Sequence, residues 1–363
     1  MLTTPLYAKH QSLGASFTDF GGWSMPIRYG SDLDEHHAVR NSAGLFDISH
    51  MGELRVIGDA ASFLDYALTG KLSELKNGKA KYTFITDGQG NVIDDLIVYR
   101  MADEDFLIVA NASNRHAVLL ALMDRAENFD VDIRDESEDW ALLAIQGPKA
   151  AYILQALTAT DLSAIKYYSI DKAKLANHEV LLARTGYTGE DGFEVFIKSE
   201  AAEALWDLLM SQGGQELCAC GLACRDTLRL EAGMPLYGHE LNIETNPYQA
   251  GLGRAVRLDK EDFLGRGALF IASTQTPKTK LYGLKGQGKR AARADYQLYL
   301  PEGTEPIGIV TSGALSPTLG YPIAMAFLDG QLNLEIGSKI EADVRGTRVG
   351  YEVVELPFYK RGK

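Results

Sequence analysis

Residues 179–210, EVLLARTGYTGEDGFEVFIKSEAAEALWDLLM, decide what kind of fold this chain adopts. Glu179–Arg184 reads as one strand, Glu194–Lys198 as a second, and Ala201–Met210 as a helix, so strands and helices share one layered unit. Between the strands lies RTGYTGEDGFE, Arg184–Glu194, where glycines turn the backbone and hold a tyrosine and three carboxylates beside the sheet. Tyr187 offers a ring to stack on and a hydroxyl to donate, and Glu194 can accept hydrogen bonds from a ligand's N–H groups. The plainer alternative for such a cluster is a polar turn with solvated acids.

The same texture extends toward the N-terminus. Ser31 through Asn41 reads as a helix with Ser31 as N-cap and Asp34 in the first turn. It runs into GLFDISHMGE (Gly44–Glu53) and a strand at Leu54–Val56. Residues 60–68 and 115–126 carry helical spacing. Tyr82–Thr86, Val92–Arg100, Phe106–Ala110 and Ala141–Ile145 read as strands, and Gly147-Pro148 is expected to open a helix through Leu157. Residues 222–232, LACRDTLRLEA, are helix-like. From Leu281 onward short strands alternate with Gly and Pro turns, which predicts a separate small barrel or sandwich, with Ser273–Lys280 as the linker.

A chain of 363 residues suits two or three packed units. Its net charge of −13 argues against a general nucleic-acid binder, which needs a broad basic surface. A local basic cluster, Lys285, Lys289, Arg290 and Arg293, reads either as a solvated loop or as a docking surface for an acidic partner. No apolar run approaches a membrane span. The opening MLTTPLYAKH shows neither a secretory nor a transit pattern, so the cytoplasm is the expected location and no membrane partner is expected. Cys218, Cys220 and Cys224 lack metal-ligand spacing and read as structural thiols, so no metal is expected.

Two further places hold chemistry-bearing groups. In GNVIDDLIVYR, Asp94 and Asp95 are neighbours on a strand and point to opposite faces, so one can serve a site and the other structure. Both faces are apolar, which predicts a strand covered on both sides. Arg225 and Arg229 lie on one helix face and want anionic partners, either internal carboxylates or those of a ligand, while Asp226 points elsewhere. Signatures of serine hydrolases, zinc proteases, phosphate loops and dinucleotide folds are missing. Carboxylates, arginines and aromatic rings suit a flat, hydrogen-bonding heterocycle with an acidic tail.

DFGGWSMPIRYG, GLFDISHMGE, GNVIDDLIVY, QGP, RTGYTGEDGFE, CRDTLRLEAGMPLYGHE, TSGALSPTLG and PFYKR occur in this order from about Pro5 to Arg361. Together they resemble the T-protein family of the glycine cleavage system, tetrahydrofolate-dependent aminomethyltransferases. The resemblance implies an α+β fold of three domains in a cloverleaf around a central channel. Two are interleaved α/β subdomains within 1–275, roughly 1–52 with 137–170 and 225–275, and 53–136 with 171–224. The third is a C-terminal β-barrel domain at 280–363. It also implies that the methylene of an aminomethyl-lipoyl carrier, the H-protein, passes to tetrahydrofolate as co-substrate, with release of ammonia and dihydrolipoyl carrier.

Carried over by position, the catalytic acid of the family falls on Asp95. Met51, Tyr82, Asn111, Tyr187, Glu194 and Arg225 fall on folate-pocket positions, and Met234 stands where some relatives have a tyrosine. Lys285, Lys289, Arg290 and Arg293 become candidates for carrier docking, because such carriers are acidic. Two rival readings exist. The folate-dependent portion of a sarcosine or dimethylglycine oxidising protein is normally joined to a flavin domain, whose dinucleotide loop this chain lacks. A folate-binding accessory protein for iron–sulfur assembly relies on a KGxC-type motif, which is also missing.

Overall fold

The computed structural model describes residues 1–362. Two compact units emerge, each discontinuous in sequence: Met1–Thr83 with Leu96–Arg225, and Phe84–Asp95 with Asp226 onward.

In the first unit a six-stranded sheet runs in the order Ile170–Leu175, His178–Ala183, Gly192–Lys198, Trp140–Gln146, Ala43–Asp47 and Leu217–Ala219. All neighbours are antiparallel except the last pair, where Leu217 lies opposite Ala43 in parallel register. Phe193, Val195 and Ile197 alternate onto one face and pack with Trp206 and Leu209 of the helix Ala202–Gly213 and with Ile153 of the helix Ala150–Gln155. Burial of side chains this large supplies about 1.5–3 kcal/mol each. The opposite face of the same strand carries Glu194 and Phe196, and Phe196 meets the ring of Tyr99 edge-on at 5.9 Å.

Tyr99 comes from a five-stranded sheet, ordered Lys79–Thr86, Val92–Ala102, Asp105–Ala110, Gly52–Gly58 and Val131–Asp135. Adjoining strands along the chain, Ala43–Asp47 and Gly52–Gly58, therefore belong to different sheets, and the loop 48–51 carries the chain from one to the other. The helix Asp32–Asn41 begins as its sequence indicates, with Ser31 Oγ accepting the Asp34 N–H at 3.2 Å.

The second unit contains a closed six-stranded barrel, ordered Thr279–Gly286, Pro322–Asp329, Pro306–Leu315, Gln297–Tyr299, Lys339–Val344 and Thr347–Val354, with the last strand pairing back onto the first. Leu284, Leu298, Val310, Ala326, Leu328, Ile340 and Val353 fill it. Closure removes the exposed strand edges that invite aggregation. The outer part of a hairpin, Phe84–Asp95, belongs to this unit. Val92 N–H donates to Thr245 O at 2.9 Å, and Thr86 Oγ1 donates to Leu264 O at 3.1 Å. Gly265 sits at φ +88°, and a Cβ there would meet Asp87 O at 2.5 Å, so only glycine closes this approach.

Several sequence expectations shift. The helix after Gly147-Pro148 spans only Ala150–Gln155: Gly147 adopts φ +131°, where a Cβ would lie 2.4 Å from Ser42 O, and the Lys149 N–H is taken by Ser42 O at 2.9 Å before the first helical turn. The helix Arg266–Thr274 runs into the expected linker and the barrel starts at Thr279, leaving 275–278 as the connection. Strands within 171–224 pair with 140–146 and 43–47, whereas the sequence grouping had set them with 53–136.

Candidate functional site

The Gly-rich segment Arg184–Glu194 is built around a side chain from a neighbouring strand. Gln146, 1% exposed, donates from Nε2 to Thr185 O at 3.1 Å and accepts from Thr188 Oγ1 at 2.9 Å. A Cβ on Gly186 would lie 2.1 Å from Gln146 Oε1, and one on Gly192 2.6 Å from its Nε2. Close approach, rather than turning alone, requires these glycines; Gly189, at φ +80°, is the one that supplies the left-handed turn. Gly186→Ala is expected to displace Gln146 and cost about 1–3 kcal/mol, read as a lower urea midpoint at unchanged m.

Two of the three acids in the segment are paired with arginines. Arg40 donates to Glu190 Oε1 at 2.9 Å and to Thr188 O at 2.7 Å, both buried or nearly so. Arg184 grips Asp191 with two nitrogens at 3.0 and 2.6 Å. Only Glu194 faces hydroxyl groups. Its Oε2 accepts from Thr185 Oγ1 and, at 3.3 Å, from Tyr99 Oη. The Tyr99 and Thr185 hydroxyls are themselves 3.0 Å apart. Desolvation pushes the Glu194 carboxyl above its ordinary range, opposed by Thr185, by the charge of Arg225 and by Tyr99. The Arg225 guanidinium, on the helix Leu222–Glu231, lies over the Tyr187 ring at 4.7 Å. Glu194, Arg225 and Tyr187 thus form one half-buried cluster of acceptor, cation and ring.

The loop between the two sheets is pinned by a buried acid. Asp47 accepts from Thr4 Oγ1 at 2.6 Å, from His10 Nε2 at 2.8 Å and from the Ser49 N–H at 2.9 Å, and His10 Nδ1 meets Tyr29 Oη at 2.8 Å. Burial pushes the Asp47 carboxyl up, but the bonds from His10, Ser49 and Thr4 outweigh it and hold the group below its usual range. Met51 follows in this loop, half-buried. Gly52 pairs with Ala110, so Met51 and Asn111 leave the five-stranded sheet at the same end. Tyr82, half-buried, is on the strand Lys79–Thr86 of that sheet.

Asp95 belongs to the second unit. Its strand is not covered equally on both sides: Val92, Asp94, Leu96 and Val98 are fully buried, whereas Ile93, Asp95 and Ile97 are half-buried. Asp94 is therefore the enclosed acid and Asp95 the accessible one. Tyr237 donates to Val92 O at 3.2 Å, and burial together with Asp94 and Asp95 pushes its hydroxyl up to about 12. Sequence reading passed over Tyr237, although its motif MPLYGHE was in view.

Arg229 finds internal carboxylates. It bonds Glu240 Oε2 at 2.9 Å, Ser312 Oγ at 2.7 Å and Asp226 Oδ1 at 2.8 Å. The expectation that Asp226 points elsewhere is corrected, since the i,i+3 spacing brings it back to Arg229. Glu231 accepts from Ser316 Oγ at 2.5 Å and Thr318 Oγ1 at 2.8 Å, so TSGALSPTLG anchors the end of this helix.

Lys285, Lys289, Arg290 and Arg293 are all exposed on the barrel. Lys285 lies over the Tyr321 ring at 4.4 Å, Lys289 donates to Gly320 O at 2.9 Å, and Arg293 to Gly313 O at 3.1 Å. The three cysteines are free thiols, with Cys220 and Cys224 buried. Among the described residues no group of three or more His, Cys, Asp or Glu is placed to hold a metal. No helix among them is long and apolar enough to cross a membrane.

Residues 6–260 match the family described as the GCVT N-terminal domain, and residues 280–360 match the glycine cleavage T-protein C-terminal barrel domain. The aminomethyltransferase of Cutibacterium acnes is 53% identical over 368 aligned residues, covering 99% of this chain and 98% of the relative. That of Saccharopolyspora erythraea is 51% identical, with 99% and 98% covered. Among solved structures, the glycine cleavage system aminomethyltransferase T of Bartonella henselae matches with a TM-score of 0.92 and 36% identity, covering 99% of this chain and 98% of that one. With both family regions matched in order and full-length relatives above half identity, the chain belongs to the glycine cleavage T-protein family of aminomethyltransferases.

Proposed function

We propose that this aminomethyltransferase binds tetrahydrofolate through Glu194, Arg225, Tyr187, Met51, Tyr82 and Asn111, and that Asp95 is its catalytic acid. The Glu194–Arg225–Tyr187 cluster carries the reading, because it combines an acceptor for pterin N–H groups, a cation and a stacking ring within one half-buried site. The reaction takes the methylene from an aminomethyl thioether on a lipoyl arm. The carbon–sulfur and carbon–nitrogen bonds of the adduct break, two bonds to the folate nitrogens form, and the two displaced protons end on the thiol and on ammonia.

Asp95 accepts and holds a proton from a folate amine, orients the two nitrogens toward the carbon, and stabilises the cation that develops as ammonia leaves. Its half-buried face suits this work, whereas Asp94 is enclosed. The test is ammonia release and methylene-tetrahydrofolate formation from aminomethyl-loaded carrier, with and without tetrahydrofolate. Folate-dependent appearance of both products supports the reading, and folate binding without either product overturns it. Glu194→Gln is expected to raise KM for tetrahydrofolate by about 10–100-fold with a smaller effect on kcat, since a charge-assisted acceptor bond is worth roughly 1.5–3 kcal/mol.

The carrier is the acidic H-protein of the glycine cleavage system, and Lys285, Lys289, Arg290 and Arg293 are its docking surface on the barrel. Opposite charge speeds encounter between partners even when the enzyme as a whole is acidic. Charge reversal at Lys289 and Arg290 is expected to raise KM for the carrier and flatten its salt dependence, leaving the folate KM unchanged. A carrier KM and salt slope equal to wild type removes the docking assignment. The working compartment is the cytoplasm, and the chain divides into a folate-binding region through about residue 275 and the barrel domain at 280–363.

A further inference from the structure

We infer that His50 is a folate-binding residue, a neutral imidazole that hydrogen-bonds the amide-like edge of the reduced pterin. The inference rests on the pocket reading of Glu194, Arg225 and Tyr187. His50 is 1% exposed, yet neither Nδ1 nor Nε2 has a hydrogen-bond partner among the described residues. Leaving a buried polar group unmatched costs stability, so folded chains rarely keep one that no partner ever meets. The ring is held in place: Phe20 meets it edge-on at 5.5 Å, and the loop before it is fixed by Asp47 and by Ser49, whose hydroxyl accepts the Leu142 N–H at 3.0 Å.

The charges facing His50 are Arg225 and Asp47. Burial first, and then the charge of the Arg225 guanidinium, lower the pKa of the ring to about 3 against the weaker pull of Asp47. At working pH the ring is thus uncharged and offers one N–H donor and one lone pair. That pairing suits a neutral lactam edge, which presents a carbonyl acceptor beside an N–H donor. It does not suit the anionic glutamate tail, for which a cation is the better match. Arg225 links the two halves of the site, since the same guanidinium acts on His50 and covers Tyr187.

The experiment uses the full-length chain and 5-formyltetrahydrofolate as an air-stable probe. Addition of the probe to protein labelled with ¹⁵N-histidine should shift the His50 ring nitrogens, identified by their loss in His50→Phe. His50→Phe should weaken probe binding about tenfold or more and raise KM for tetrahydrofolate with little change in kcat. Its Tm should stay level or rise, because an unmatched polar ring gives way to an apolar one. His50→Gln, which keeps a donor and an acceptor, should recover part of the affinity. Wild-type binding with unmoved His50 signals, or wild-type affinity in His50→Phe, overturns this inference alone. Failure of the wild-type chain to bind the probe removes the pocket reading and this inference with it.

Discussion

Replacement of Asp95 by asparagine is expected to leave tetrahydrofolate affinity near the wild-type level while turnover falls by about 10²–10⁴-fold, the span associated with loss of a positioned proton-transfer group. Asparagine keeps the size and one acceptor of aspartate but can neither take a proton nor offset a developing cation. Asp95 shares the half-buried face of its strand with Ile93 and Ile97, so the exchange disturbs little packing. Asp94→Asn is the matched control. Asp94 is fully buried, and its replacement should lower stability more than chemistry. Single-turnover formation of methylene-tetrahydrofolate, measured beside equilibrium folate binding, separates the two effects. Unchanged turnover in Asp95→Asn would falsify the assignment. A larger loss in folded Asp94→Asn would exchange the roles of the two acids.

The largest stability effect is expected at Arg229. Its side chain is 1% exposed and that of Glu240 is 0% exposed, and the two meet at 2.9 Å. Truncation to alanine leaves Glu240 buried without its cation and removes the donors to Met234 O and Ser312 Oγ. Breaking one side of such a pair costs about 3–5 kcal/mol. Removal of both charges, as Arg229→Met with Glu240→Gln, should cost less than Arg229→Ala alone, because no uncompensated charge remains. Urea unfolding of the three proteins decides the matter. A loss below about 1 kcal/mol in Arg229→Ala would show that water reaches Glu240 and that the pair contributes little.

Much of the architecture was legible because its signals are local. Alternating apolar residues placed the strands at 92–100 and 106–110, the Ser31 cap placed its helix, and Gly/Pro punctuation placed the barrel. What escaped depends on distant partners. The three-residue strand Leu217–Ala219 exists only because Ala43–Leu45 lies beside it. The short hairpin Ser16–Phe20 and Trp23–Arg28 carries too few residues for periodicity to register. At the candidate site, Tyr187, Glu194 and Arg225 were nameable as chemical types, and the structure brings them together. The groups that tune them were not: Thr185 reaches Glu194 from the Gly-rich loop and Tyr99 from a strand of the other sheet, and His50 looked like one more residue of SHMGE. No spacing rule shows that Glu190 and Asp191 are taken by Arg40 and Arg184, leaving Glu194 as the acid with hydroxyl partners.

The hairpin segment 84–95 is made early in synthesis, yet its partners, Thr245 and Leu264, leave the ribosome more than 150 residues later. Until then Phe84, Ile85 and Val92, all buried in the finished chain, have no completed unit to enter. Vectorial folding therefore reaches the candidate catalytic acid last, although it lies in the first third of the sequence. A chain stalled or truncated before about residue 270 carries Asp95 without the surroundings that set its chemistry, and it exposes an apolar hairpin for chaperones to hold. Incomplete products of this gene should be inert and short-lived instead of partly active.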